Sequence, residues 1–289
     1  MRKKLMDGKA AWILAVFLVF FMAAGVAEDL DALWENAGMD AAGQWWYVLE
    51  NGGATILCPE GPLDVELSIP GELDGFPVTA IGAYAFDSDM LERVALPDTV
   101  ISIGDGAFIH CFSLTEIALP DSLISIGNGA FADSSLSRIT LPGSLVSIGN
   151  GAFSMCMLTE ITLPESVISV GQSPWWGCHH LQKIEVLPGN PVYASQDGVL
   201  FDRSAGMLHT YPCGKEGGFY AVPDGVAAIG DLAFEDCIAL TQVVLPVSLT
   251  SIGEDAFSGC WNLTLTVTQG SFAERYAAEN DIPCVLAAE

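Results

Sequence analysis

The chain repeats itself every 22 or 23 residues, and a sequence that does so is confined to architectures in which equivalent units stack. The block Ile-Gly-x-x-Ala-Phe occurs at Ile81–Phe86, Ile103–Phe108, Ile126–Phe131, Ile148–Phe153, Ile229–Phe234 and Ile252–Phe257. A degenerate copy runs from Val170 to Trp175. Leu-Pro recurs at Leu96-Pro97, Leu119-Pro120, Leu141-Pro142, Leu163-Pro164 and Leu245-Pro246, and each proline lies six residues before the next Ile or Val. The one-residue variation in period falls between the Phe and the following Leu, where a turn absorbs it.

Each unit reads Leu-x-x-Ile-x-Leu-Pro, a short link, Val/Leu-x-x-Ile-Gly, x-x-Ala-Phe and then often Cys. The first part predicts a short strand with Leu114, Ile117 and Leu119 facing inward. Pro120 ends it, because proline cannot continue a ladder. The second part predicts another short extended piece, and Gly127 suits a bend that other residues would strain. No unit buries its apolar side alone, so the copies must share one continuous core. The expected fold is a mainly-β repeat solenoid with short parallel strands in each coil.

The pattern Leu-x-x-Ile-x-Leu-Pro-x-x-Leu-x-x-Ile-Gly-x-x-Ala-Phe-x-x-Cys resembles the BspA-type leucine-rich repeat of bacterial surface proteins, over roughly residues 45–284. The segment Asn190 to Phe201, followed by Leu208 to Pro212, is similar to the hairpin island that interrupts such arrays. The residues alone give two apolar runs around a turn at Asp202–Gly206. The resemblance implies a secreted or surface-displayed binding module, often associated with adhesion, without catalytic residues.

Residues 1–27 read as a secretory signal peptide: Arg2, Lys3, Lys4 and Lys9, then the apolar run Ala10 to Ala24, then small residues to Ala27. An uncleaved anchor is the alternative reading. Residues 28–80, with Trp45, Trp46 and Tyr47, are expected to form an N-terminal linker and cap. Repeats follow over 81–186, the hairpin island over 187–222, further repeats over 223–268 and a C-terminal cap over 269–289. There Ser271-Phe272-Ala273-Glu274 fits a capping box that opens a helix to about Asn280, with Phe272 and Tyr276 on one face against the last coil. The whole chain carries 36 acidic and 10 basic side chains, net −26. Without residues 1–27 it carries 35 and 6, net −29. Nucleic acid is an unsuitable partner for such a balance, and no second span for a membrane occurs.

Stacking turns repeat positions into columns about 4.8 Å apart. One column reads Arg93, Glu116, Arg138, Glu160, Lys183: an alternating charge ladder that favours one register. Another reads Ile101, Ile124, Val146, Ile168. If Val100 and Ile103 point inward, these four form an outward apolar stripe, either an interface or a strip covered by neighbouring turns. Cys111, Cys156, Cys178, Cys237 and Cys260 share a position that suits a small buried side chain. Asp89 and Ser134 flank Cys111 in that column, and parallel Cβ vectors fit disulfides poorly. Cys58, Cys213 and Cys284 lie outside it.

Catalytic motifs are not found, so no enzyme, cofactor or metal is expected. Gly127-Asn128-Gly129-Ala130-Phe131-Ala132 matches a nucleotide-binding glycine pattern but is one copy of the repeat. Cys178-His179-His180 lacks a second ligand pair at metal spacing. Trp176 falls where other copies vary and immediately precedes the island. It is therefore either a recognition residue or a packing residue under the island. The expected function is a secreted or cell-surface module that recognises a protein or glycan through its side faces. The alternative is a structural or self-assembling scaffold; oligomeric state is not set by the sequence.

Overall fold

The computed structural model describes residues 34–88, 90–204 and 206–287. Residues 1–27, which the sequence reads as a signal peptide, and Asp89 lie outside the described residues, and the N-terminal segment is described from Trp34 onward. Chain order dictates a mainly-β solenoid with one short helix among the described residues. Each standard coil contributes a two-residue strand on one side, such as Ser125–Ile126, and a strand of three or four residues on another, such as Glu116–Ala118. Ser102–Ile103, Ser125–Ile126, Ser147–Ile148 and Ser169–Val170 pair in parallel, Ser against Ser and Ile against Ile or Val. The core is one aromatic and aliphatic column per repeat position. Phe86, Phe108, Phe131 and Phe153 stack at 5.0, 5.5 and 5.4 Å between ring centroids.

The array is closed at the start by antiparallel strands Trp45–Glu50 and Gly53–Pro59, and the second of these pairs in parallel with Phe76–Ile81. Trp45 lies edge-on to Phe86 at 6.4 Å, which covers the first ring of the stack. At the other end helix α1 spans Phe272–Glu279. Ser271 accepts from the Glu274 N–H, whereas the Glu274 carboxylate reaches the N–H of Gly270 instead of that of Ser271, so the capping box closes one residue early. Tyr276 packs 6.3 Å from Phe257. Beyond α1 the chain adds Cys284–Leu286 as a parallel strand beside Thr264–Val267.

The insertion is more than the two runs around Asp202–Gly206 that the sequence suggested. Tyr193–Gln196, Val199–Asp202 and Met207–Thr210 form an antiparallel meander, whose first turn is Asp197-Gly198 with φ of 53° and 75°. The third strand then pairs in parallel with Ala228–Ile229, so the insertion feeds straight into the second run of coils. The core divides inside one strand: Leu200 faces the first cluster and Val199 the second. Buried Asn190 holds the insertion to the preceding coil. Its amide donates to the carbonyls of Pro164 and Val167 at 2.9 and 2.8 Å and accepts from the N–H groups of Val192 and Tyr193. The open edge at Val170 is capped by side chains. The Tyr193 hydroxyl accepts from the Val170 N–H at 2.9 Å, and His209 Nε2 lies 3.3 Å from its carbonyl.

Gly127 plays a different part from the bend expected of it. Its backbone is outside the left-handed region, and a Cβ there would sit 2.5 Å from Asp105 Oδ1 and 2.6 Å from Asp105 N. The residue is glycine because two coils touch through it. Gly129, two positions on, is the one with φ +56°.

Candidate recognition surface

Along each coil of the first run, Val100 and Ile103 and their counterparts are buried while the two residues between them are not. Ile101, Ile124 and Ile168 are 44%, 45% and 50% exposed, and Val146 between them is half-buried. Backbone rungs run directly from one to the next: the N–H of Ile124 donates to Ile101 O, that of Val146 to Ile124 O and that of Ile168 to Val146 O. The four side chains therefore form one strip roughly 15 Å long at the pitch of a parallel stack. Neighbouring turns do not cover it.

The strip has a polar neighbour that sequence reading passed over. Ser102, Ser125, Ser147 and Ser169 form a parallel row beside it and line an open groove of about 490 Å³, together with Gly104, Gly127 and their equivalents. Among the described residues none of these four hydroxyls takes part in a hydrogen bond. The far wall is a rigid ladder: the Asn128 N–H donates to Asp105 Oδ1 at 2.7 Å, that of Asn150 to Asn128 Oδ1 at 2.8 Å and that of Gln172 to Asn150 Oδ1 at 2.7 Å. On the other side of the strip the turns carry exposed Asp98, Asp121 and Glu165. No basic residue belongs to any of these columns. The second run of coils has Ala227 and Thr250 at the stripe position, so the apolar strip belongs to the first run alone.

The charge ladder lies on another side of the coil. Arg93 pairs with Glu66, one coil before the predicted start, and Lys183 Nζ meets Glu160 at 3.0 Å. The strand register places Arg93 beside Glu116 and Glu160 beside Lys183. Arg138 sits in a coil without strand pairing, so the sheet is interrupted there and the column is not a continuous ladder of strand partners. Its charged groups are about half-exposed, which makes them register markers worth little energy each.

The cysteine column has a donor role that composition did not suggest. None of the eight cysteines forms a disulfide. The thiols of Cys156, Cys178 and Cys260 donate to the carbonyls of Phe131, Phe153 and Phe234 at 3.2, 3.1 and 3.0 Å, each one coil back. Ser134 occupies one slot of the column, and its hydroxyl lies 3.2 Å from Cys156 Sγ. The position thus asks for a small side chain with one proton to give. The residue that follows it is often exposed and apolar: Phe112, Met157, Ile238 and Trp261, the last 86% exposed. That row was legible in the columns but is broken by Ser135 and His179.

Trp176 is 42% exposed, and its Nε1 donates to Asp236 Oδ2 at 2.9 Å, which ties it to a turn of the second run. His179 and His180 are exposed turn residues. Among the described residues no group of three or more His, Cys, Asp or Glu is placed to hold a metal ion, and no helix is long and apolar enough to cross a membrane.

The family described as BspA type leucine rich repeat region matches residues 79–193 and 219–276, in six copies. No curated protein matches the chain. Among solved structures, a leucine-rich repeat protein from Eubacterium ventriosum superposes with a TM-score of 0.63 at 24% identity, covering 78% of this chain and 71% of that one. A leucine rich cell surface protein from Faecalibacterium prausnitzii gives 0.53 at 27% identity, covering 80% and 76%. A leucine-rich repeat protein of T. pallidum gives 0.53 at 27%, covering 87% and all of that chain.

Proposed function

The chain belongs to the BspA-type leucine-rich repeat family, and from that premise we propose that it is an exported binding module that recognises a protein at a cell surface through the Ile101–Ile168 face. The observation that carries this reading is the contiguous strip of three exposed isoleucines with Val146 between them, open beside a row of free serine hydroxyls. Contact between neighbours in the column contributes to packing, and a column left this open also gives an interface core area without new backbone. The acidic turns at Asp98, Asp121 and Glu165 and the absence of basic residues in the flanking columns favour a partner whose apolar patch is rimmed by Lys or Arg. Export follows from the reading of residues 1–27 as a cleaved signal peptide, and a relative described as a cell surface protein supports the address.

The test is a binding screen of the exported protein against immobilised extracellular-matrix proteins by surface plasmon resonance, alongside a variant carrying Ile101→Ser, Ile124→Ser and Ile168→Ser. Saturable binding that the triple variant loses supports the proposal; binding that the variant keeps removes this face from the site. Sedimentation velocity distinguishes the scaffold alternative. A wild-type dimer that the triple variant abolishes would mean that the strip pairs with a second copy instead.

A further inference from the structure

The last strand of the array leaves an open edge. Cys284–Leu286 pairs in parallel with Thr264–Val267, and among the described residues no strand lies on its other side. The register fixes which backbone groups are used. Leu265 N–H donates to Pro283 O and Ala287 N–H to Val267 O, with Leu265 opposite Cys284 and Val267 opposite Leu286. In a parallel ladder a residue bonds to the two that flank its opposite number, so Pro283, Val285 and Ala287 turn their polar groups toward the sheet. Cys284 and Leu286 turn theirs outward, as two N–H donors and two carbonyl acceptors in alternation. Such an edge is ordinarily blunted by charge, proline or a covering segment. The edge strand Glu66–Ser68 near the start of the array follows that rule, since it carries Glu66 paired with Arg93. The last strand does not. Ile282–Ala287 holds no charged residue, Pro283 faces the sheet, and all three strand residues are exposed, Val285 by 49% and Leu286 by 51%.

The helix beside this edge is self-complementary in charge. Helix α1 covers the last coil with Ala273 and Ala277 buried and Tyr276 against Phe257. Its opposite face, Arg275, Ala278 and Glu279, is exposed and looks out along the stack. The same helix packs on Cys284–Leu286. Arg275 is the only basic residue after Lys215, and its guanidinium rests 5.4 Å from the centre of the Phe272 ring. Glu279 follows it by one helical turn, and Ala278 is small enough for close approach. A twofold axis through this end sets Arg275 of each copy against Glu279 of the other.

We propose that the chain dimerises with a second copy through this edge: Cys284–Leu286 pairs antiparallel with the same strand of the copy, about a twofold axis at Val285. Cys284 then exchanges both backbone bonds with Leu286 of the copy, and Leu286 does so with Cys284 of the copy. Every outward group of both edges is satisfied by these four hydrogen bonds. Val285 meets Val285 of the copy as a non-hydrogen-bonded pair with Cα atoms about 4.5 Å apart, a position where β-branched side chains pack well. Four bonds and two ion pairs make a small contact, with a dissociation constant on the order of 100 μM. The dimer carries two Ile101–Ile168 faces, which raises avidity for a partner fixed on a surface, but the pairing does not depend on that face.

The test is sedimentation velocity of the exported protein from about 1 μM to about 1 mM, over which the weight-average coefficient is expected to climb from monomer to dimer. Leu286→Pro removes one outward N–H from each copy and leaves every bond to Thr264–Val267 in place. It should keep its melting temperature and weaken dimerisation by about tenfold or more. Arg275→Glu should weaken it as well, and Arg275→Glu combined with Glu279→Arg should restore it. In a Cys284→Ser background, Val285→Cys is expected to form an intermolecular disulfide with oxidised glutathione, because the paired Cα atoms fall in disulfide range. The natural Cys284, set opposite Leu286 of the copy, should not cross-link. A monomer over the whole range overturns the proposal. So does a dimer that Leu286→Pro leaves unchanged, or cross-linking through Cys284 in place of Val285→Cys. The variant with Ile101→Ser, Ile124→Ser and Ile168→Ser should dimerise as the wild type does, so failure of this pairing and failure of the recognition face are read separately.

Discussion

Two glycines of one turn, Gly127 and Gly129, separate the forces that hold this stack together. A Cβ on Gly127 would lie 2.5 Å from Asp105 Oδ1, 2.6 Å from Asp105 N and 2.7 Å from Gly104 C. Ordinary contact begins near 3.5 Å, so the preceding coil would have to retreat by roughly 0.8 Å or more. That movement stretches the rung from Gly127 N–H to Ile103 O, now 2.8 Å, and the bond from Asn128 N–H to Asp105 Oδ1, now 2.7 Å. Overpacking and two weakened hydrogen bonds together cost about 3 kcal/mol. At Gly129 the nearest atom to a Cβ is 3.9 Å away and only the left-handed φ of +56° resists, so Gly129→Ala costs about 1 kcal/mol. Amide hydrogen exchange is the right assay, because a repeat array opens locally and a single unfolding free energy is ill defined. Gly127→Ala should lower protection of the rung amides of Ile126–Asn128 and Ile148–Asn150 by about a hundredfold, and Gly129→Ala by about fivefold. Equal effects, or a larger one at Gly129, would refute the view that close coil contact selects the first glycine.

The thiols whose pKa burial raises should be inert. Burial pushes Cys156 and Cys213 up to about 11, so a thiol-alkylating reagent near neutral pH should label exposed Cys284 first, and all eight only after unfolding; rapid native labelling of Cys156 would contradict the packing. Cys156→Ser keeps the proton given to Phe131 O, whereas Cys156→Ala leaves that carbonyl short of a donor and should cost about 1 kcal/mol more, read from urea midpoints. The insertion should loosen in acid. Burial holds the His209 pKa below its ordinary value, against the carbonyl of Val170 and the charge of Asp202, which raise it. Its contribution to stability is therefore present above about pH 6.5 and lost as pH falls through the lowered folded value. Proteolysis between residues 187 and 222 should accelerate over that window, and His209→Gln should flatten the dependence. Lys183→Glu should lower stability slightly by setting a carboxylate beside Glu160, an effect that salt should erase.

The period carried most of this architecture, because a residue that recurs every 22 or 23 positions must meet its own equivalents. The columns of Phe86 to Phe153, the inward Val100 and Ile103 and the alternation of Arg93 with Glu116 all follow from stacking alone. What the period cannot encode is contact between non-equivalent positions. The side-chain hydrogen bonds from Gln172, Ser173 and Trp176 to Asp231, Glu235 and Asp236 cross about 60 residues and exist only because the coil at Leu208–Tyr211 is short. Asn190, Tyr193 and His209 likewise act on Pro164, Val167 and Val170 through bonds that no column predicts. The serine row of the groove was present in the repeat as Ser102-Ile103, Ser125-Ile126, Ser147-Ile148 and Ser169-Val170, but next to the inward Ile or Val it read as spacing. Ser134 among the cysteines was the available sign that the column needs a donor.

The central claim is that recognition falls on the Ile101–Ile168 face, and hydrogen exchange with and without the captured matrix protein measures this most directly. The account predicts protection in the four peptides covering residues 98–105, 121–128, 143–150 and 165–172, in register along the stack, and none in the strands Arg93–Ala95 and Glu116–Ala118 of the charge ladder. Protection of those ladder strands, with the four isoleucine-bearing peptides unchanged, would contradict it.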